Sequence, residues 1–254
     1  MLLLIDVGNT NITIGINSNF KTIATFRLTT NQNVTEDELG NSIINLMKLN
    51  NIDYNNVSGS VISCVVPKML LNLKRCVEKY FKVKPIVVGP GIKVGIKLNF
   101  ENPKEAGADR IVNVVAASHL YQRDCLVIDF GTATTFDYIS KDGVFEYTII
   151  TPGMETALKA IVSNAAKLPD IEIIKPKSIL TKNTITGMQA GLVYGYIGQV
   201  EYIVNQIKKE LKKELYVICT GGLSKIIYEN TDVIDIYEPN LAYIGMEIIY
   251  NRNN

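Results

Sequence analysis

Histidine is almost missing from this chain: of its 254 residues, only His119 carries an imidazole. That count by itself excludes a histidine-based catalytic triad and a multi-histidine zinc site. Cysteine is scarce too. Cys64, Cys76, Cys125 and Cys219 stand too far apart for a C-x-x-C metal pair. Cys125 and Cys219 fall in apolar, strand-like runs and read as buried free thiols. Excess charge is absent, since 26 Lys and Arg against 25 Asp and Glu leave +1. Neither nucleic acid nor an anionic membrane is therefore expected as a partner. No apolar run approaches the roughly 20 residues of a membrane-spanning helix. The apolar start reaches Asp6 too soon for a secretory leader and lacks its basic segment. The expectation is a soluble, cytoplasmic protein whose acid–base or metal chemistry uses carboxylates, hydroxyls and main-chain groups.

What is present is enough to build a substantial core, with 47% hydrophobic and 20% charged residues. The length allows two domains. Leu2-Leu3-Leu4-Ile5 reads as a buried strand that enters the polar turn Asp6-Val7-Gly8-Asn9-Thr10, and a second strand follows through Ile16. Thr35 to Asn50 reads as a helix, with Thr35 and Glu38 as a capping box. Strand patterns at 58–66 and 85–88 flank a helical stretch at 70–81. A further helix is expected from about Arg110 to Tyr121.

Near residue 123 the pattern restarts. Cys125-Leu126-Val127-Ile128 leads into Asp129-Phe130-Gly131-Thr132-Ala133-Thr134-Thr135. At an offset of 123 residues, Leu3 falls on Leu126, Ile5 on Ile128, Gly8 on Gly131 and Ile16 on Ile139. Two such units suggest a duplication, with domains at 1–122 and 123–254. Helical patterns follow at 154–166 and 185–215. The strand 216–219 then runs through Thr220-Gly221-Gly222 into a helix from Leu223, and the last helix spans about 241–250.

Each Asp-x-Gly turn has a chemical logic. The strand fixes the Asp at its carboxyl end, and the glycine lets a phosphate approach the backbone. The amide, Asn and Thr groups that follow donate to phosphate oxygens. A carboxylate in an anion site makes sense only with a cation beside it, such as Mg²⁺ on the phosphates or a bound alkali ion. The turn Thr220-Gly221-Gly222 leaves room for a flat ring or a sugar at a helix N-terminus. No Walker A sequence, kinase glycine-rich loop or G-x-G-x-x-G occurs.

Gly107-Ala108-Asp109-Arg110 marks a loop–helix junction. Asp109 is either a cap for a helix starting at Arg110 or a base that takes a hydroxyl proton during phosphoryl transfer. Pro103 makes the 99–107 loop a candidate substrate edge. Thr184 is either the N-cap of the long helix or a hydroxyl presented to a ligand. Gly187, Gly191, Gly195 and Gly198 weaken that helix, which implies close packing there, either within the chain or across a homodimer seam.

In this order, Asp6-Val7-Gly8-Asn9-Thr10, Gly107-Ala108-Asp109-Arg110, the 129–135 turn, Thr151-Pro152-Gly153, Lys167-Leu168-Pro169, Lys182-Asn183-Thr184 and Thr220-Gly221-Gly222 resemble the type III pantothenate kinase family across almost the whole chain. The resemblance implies an α/β, duplicated actin-like ATPase (ribonuclease H-like) fold with two domains and an interdomain cleft. It also implies a homodimer that phosphorylates pantothenate with ATP on the route to coenzyme A. It assigns Asp6, Val7, Gly8, Asn9, Thr10, Asn11, Ile12, Thr13 and Thr132 to ATP, with Mg²⁺ reaching Asp6 through phosphates or water. Asp109 would be the base. Phe100, Gly107, Ala108, Arg110 and Thr184 would hold pantothenate, and Asp129 would hold K⁺ or NH₄⁺. The chain departs from the family pattern at Phe100, where a Tyr is usual, and at Glu146-Tyr147-Thr148, where a Gly-Gly pair is common. Two other readings are a non-catalytic relative acting as an accessory transcriptional regulator, and another kinase or phosphatase of the superfamily.

Overall fold

A computed structural model describes residues 1–102 and 105–254; Pro103, expected at a substrate edge, lies outside the described residues. In chain order the elements are β1 (Leu2–Val7), β2 (Asn11–Ser18), β3 (Lys21–Thr29), α1 (Glu36–Leu49), β4 (Gly59–Cys64), α2 (Pro67–Cys76), β5 (Ile86–Val87), β6 (Lys97–Leu98) and α3 (Ala108–Tyr121). Then come β7 (Cys125–Phe130), β8 (Ala133–Ile139), β9 (Val144–Pro152), α4 (Met154–Asn164), α5 (Thr184–Leu211), β10 (Tyr216–Thr220), α6 (Ser224–Tyr228), β11 (Ile236–Tyr237) and α7 (Leu241–Asn253). They form two compact units, one of Met1–Leu120 with Asn240–Asn254 and one of Tyr121–Pro239. The expected halves, 1–122 and 123–254, differ from these units in one substantial way: α7 belongs with the first unit.

In unit 1 the strand order is β3-β2-β1-β4-β5. β1 runs antiparallel to β2 and parallel to β4. Both faces of β1 are covered, which is why it reads as an unbroken apolar run. Leu3, Ile5 and Val7 join Ile43 and Met47 of α1 and Leu73 of α2 in one cluster. Leu2 and Leu4 face Val112 and Val115 of α3 and Met246 and Ile249 of α7. Gly245 is the reason α7 packs here so closely. A Cβ at that position would stand 1.9 Å from the Val112 carbonyl oxygen, so only glycine lets the two helix backbones meet.

The capping box at α1 forms as expected, with Thr35 accepting from the Glu38 amide at 3.3 Å and Glu38 Oε2 accepting from the Thr35 amide at 2.9 Å. The helical pattern at 70–81 resolves into α2 and a π-helical turn at Val77–Phe81.

Within unit 2, the strands β9-β8-β7-β10-β11 repeat the first sheet's order and sense. Leu126, Ile128 and Phe136 pack against Val193, Val200 and Val204 of α5. The duplicated ribonuclease H-like architecture read from the sequence is thus present in the sheet topology. The ungapped repeat needs one correction. The first hairpin closes with the Gly8 amide donating to the Asn11 carbonyl at 3.0 Å, the second with the Gly131 amide donating to the Ala133 carbonyl at 3.2 Å. The second turn is one residue shorter. Asp6 therefore pairs with Thr13, but Asp129 pairs with Thr135, and Ile16 corresponds to Tyr138 instead of Ile139.

All four cysteines are free, and Cys125 and Cys219 are buried as expected. α5 ends at Leu211 instead of 215, because Lys212 turns to φ 53°. No helix among the described residues is long and apolar enough to cross a membrane.

Candidate functional site

Unit 1 gathers three polar side chains around the carboxyl end of β1. Asp6 is flanked across the sheet by Thr13 of β2 and Ser63 of β4. Both Asp6 Oδ1 and Ser63 Oγ are buried without a hydrogen-bond partner. Burial pushes the Asp6 carboxyl up to about 7. The neighbouring Ser63 hydroxyl works against this, although its oxygen makes no full hydrogen bond, and the charge of Asp109 adds to it. Burial and the charge of Asp109 both disfavour the ionised Asp6 carboxyl, which suits a cation delivered with a ligand. Among the described residues, no group of three or more His, Cys, Asp or Glu could hold a metal alone. The Asp6 carboxylate, with the Thr13 and Ser63 hydroxyls beside it in register, is a hard oxygen donor set that suits an Mg²⁺ whose other ligands are phosphate oxygens and water.

The turn after Asp6 divides its residues by reach. Val7 and Ile12 are buried in the core, so only their main chain is available to a ligand. Asn9 and Thr10 stand exposed. Thr30, a residue without any sequence signal of its own, braces the turn by donating to the Gly8 carbonyl at 2.7 Å, and its amide donates to the Thr10 carbonyl at 3.0 Å. Gly8 itself meets only the Asn11 carbonyl, 3.4 Å from where a Cβ would sit.

Asp109 lies in the first turn of α3, which starts at Ala108 and not at Arg110. Its Oδ1 accepts from the Arg110 amide at 2.8 Å. That pose depends on Gly107, because a Cβ there would come within 2.4 Å of the same oxygen. The Gly107 carbonyl accepts the helix bond from the Ile111 amide at 3.0 Å. Arg110 is buried with its guanidinium 5.9 Å from the centre of the Phe100 ring, a cation–π distance. The ring at position 100 thus supports Arg110 without needing a phenol.

Unit 2 builds its turn differently. Asp129 is flanked by Thr135 and Thr220 in register. Gly221, at φ 97°, lies so close that a Cβ would stand 2.6 Å from Asp129 Oδ1 and 2.7 Å from the Phe130 amide nitrogen. The exposed Thr132 has its carbonyl held by the Gly153 amide at 3.0 Å and the Thr156 hydroxyl at 2.6 Å. Thr184 is not a cap: it is the first residue of α5, exposed, and Asn183 caps the helix by accepting from the Thr186 amide at 2.9 Å. A Cβ added at Gly191, Gly195 or Gly198 would meet nothing within 4 Å among the described residues, so close packing within the chain is not what these glycines serve.

Unit 1 thus brings Asp6, Thr13, Ser63 and Asp109 to one place, and unit 2 gathers Asp129, Thr132 and Gly221. Ser63 and Thr30 carried no motif of their own. Each is one hydroxyl at a strand end, visible only once the register is known.

A strand-end carboxylate and glycine turn in each copy of a duplicated ribonuclease H-like unit define an actin-like α/β protein. Comparison with known proteins narrows this. The profile of the family described as type III pantothenate kinase matches residues 2–206. A type III pantothenate kinase of Bacillus cytotoxicus is 48% identical over 253 residues, covering 100% of this chain and 97% of that protein. The chain belongs to the type III pantothenate kinase family.

Solved structures agree on the fold. A 2-dehydro-3-deoxygalactonokinase protein of Sinorhizobium meliloti superposes with a TM-score of 0.62 at 11% identity, covering 99% of this chain and 96% of that one. A Baf family transcriptional activator of Campylobacter jejuni gives 0.61 at 18%, covering 99% and 98%.

Proposed function

We propose that this chain is an ATP-dependent kinase that moves the γ-phosphoryl group onto the hydroxyl of pantothenate, giving 4'-phosphopantothenate for coenzyme A biosynthesis. Family membership over the full chain carries the activity. The observation that carries the mechanism is Asp109, held by Gly107 at the start of α3 and coupled by charge to Asp6.

Asp6 to Thr13 would receive the phosphates through main-chain amides and the exposed Asn9 and Thr10, and Thr132 would supply a phosphate contact from the second repeat. Bound Mg²⁺ would neutralise phosphate charge, with Asp6 reaching it directly or through water. The pantothenate hydroxyl oxygen attacks the γ-phosphorus, the bond to the β-phosphate bridging oxygen breaks, and Asp109 takes the hydroxyl proton. Arg110, steadied by Phe100, suits the pantothenate carboxylate; Gly107, Ala108 and Thr184 would complete that pocket. Asp129 would hold K⁺ or NH₄⁺. The open glycine face of α5, near the exposed Ile185 and Tyr202, supports a homodimer seam. We place the enzyme in the cytoplasm. The likeness to the Baf family activator, at 18% identity, concerns the fold and gives gene regulation no support.

The test is ADP release by the purified protein with MgATP and K⁺, with and without pantothenate. ADP release that depends on pantothenate, with a phosphorylated product of matching mass, is expected. ADP release indifferent to pantothenate would overturn the assignment.

A further inference from the structure

Four strands of unit 1 line up a single row of side chains at the carboxyl end of β1. Ser63 of β4 pairs with Asp6 of β1, Asp6 with Thr13 of β2, and Thr13 with Arg27 of β3. Register partners on neighbouring strands project to the same side of a sheet. The residues beside Arg27 fix which side that is. Phe26 and Leu28 join the cluster under α1 and α2. Arg27 therefore points the other way, to the face where Leu2 and Leu4 meet α3 and α7. Tyr243 of α7 marks this face on β2. Its ring rests on Gly15, two residues from Thr13, where a Cβ would stand 2.7 Å from Cδ1.

The row ends in a charge that the kinase reading does not use. Arg27 is exposed, and no hydrogen bond or ion pair among the described residues engages its guanidinium. β3 is an edge strand, and a charge there can serve merely to keep other strands away. Two observations ask more of it. The stretch Asp6–Thr13, proposed to receive the phosphates, contains neither Lys nor Arg. In the same row, Asp6 Oδ1 and Ser63 Oγ are buried without hydrogen-bond partners, as groups awaiting a ligand are. A triphosphate stays negative even with magnesium bound, and beside a carboxylate it needs a cation from the protein. Two strand spacings, about 10 Å, separate β3 from β1. An extended arginine covers most of that distance over Thr13.

We infer that Arg27 is a phosphate-binding residue of the nucleotide site, reaching across Thr13 to donate to triphosphate oxygens from the side opposite β4. Its planar fork of donors suits phosphoryl oxygens, and it keeps its charge at any working pH. The inference rests on the kinase reading of the first turn. Pantothenate brings a carboxylate of its own, so the test must separate the two anions.

The experiment measures MgATP affinity of the full-length protein by calorimetry without pantothenate, and kcat and KM for each substrate with it. Arg27→Met keeps an apolar stem and removes the charge. It should weaken MgATP binding about 10–100-fold, the worth of a hydrogen bond to a charged group. The value of kcat/KM for ATP should fall at least as far. KM for pantothenate and the melting temperature of the ligand-free protein should stay put. Arg27→Lys, a charge without the fork, should fall between Arg27→Met and wild type. Lys21→Met, which removes a charge from the other end of β3, should bind MgATP as wild type. Wild-type MgATP affinity in Arg27→Met, or a loss confined to KM for pantothenate, would overturn the inference. Wild-type protein that binds MgATP without turning over pantothenate would sink the kinase reading and leave this one standing.

Discussion

The two repeats carry the same strands to opposite ends. At the first turn Asp6 Oδ1 and the Ser63 hydroxyl are buried without hydrogen-bond partners, beside a four-residue bend in which Gly8 meets only the Asn11 carbonyl. At the second turn the bend is one residue shorter, and Asp129 and Phe130 are pressed by Gly221 while Thr132 is tied to α4. In the first copy Asp109 of α3 adds its charge to Asp6; in the second, close packing of Gly221 and hydrogen bonds to Thr132 hold the turn.

The comparison can be broken at its most reactive point. Asp109→Asn keeps the size of the side chain and removes the proposed base. Phosphoryl transfer to pantothenate should fall about 10²–10⁴-fold in a steady-state assay, with MgATP affinity retained. Unchanged turnover would remove Asp109 from the reaction.

The electrostatic difference is next in size. The folded-state value of Asp6 is about 7, well above its ordinary 3.8. Between those values the folded protein holds a proton that the unfolded chain has lost. Stability without nucleotide or divalent ion should therefore decline as pH rises from about 4 to about 7 and level off above. The span corresponds to something on the order of 4 kcal/mol. Urea melts across this range should show the slope, and Asp6→Asn should flatten it and stabilise the ligand-free protein at pH 8.

The rigidity of the second turn is tested by Gly221→Ala. A positive φ and a methyl group driven against Asp129 and the Phe130 main chain should cost about 3 kcal/mol. Gly8→Ala is the comparison in the first turn, where a Cβ would meet only the Asn11 carbonyl at 3.4 Å, with a stability change below about 1 kcal/mol. Its effect should appear as weaker MgATP binding, because the methyl would stand where the proposed site brings a phosphate. Equal destabilisation by the two substitutions would mean that the turns are not different in kind.

Much of this was legible in the residues. Strands buried on both faces read as apolar runs, so β1, β7 and the repeat that joins them announced themselves. Polar strand ends with glycines marked both turns, and Thr35 with Glu38 marked a helix start. The shorter second turn was hidden because an ungapped offset of 123 fits the strand and the first glycine while missing one deleted residue. Thr184 and Asn183 are both good caps, and only the bond to the Thr186 amide decides between them. Lys212 and Lys213 favour helix by propensity, yet the chain turns left-handed at Lys212. The place of α7 was hidden for a different reason. Its buried residues, Tyr243, Met246, Glu247 and Ile249 among them, spread around the helix, and its partner is set by Gly245 meeting a distant carbonyl.

That last contact sets an order of events during synthesis. Residues 240–254 complete unit 1 yet leave the ribosome after every residue of unit 2. Until they emerge, Leu2 and Leu4 on β1 and Val112 on α3 lack their final cover, and Gly15 lacks the ring that rests on it. The earlier-made unit is therefore the later one to close, and a nascent chain stalled at Pro239 would carry a finished second repeat beside an apolar face still waiting for its lid.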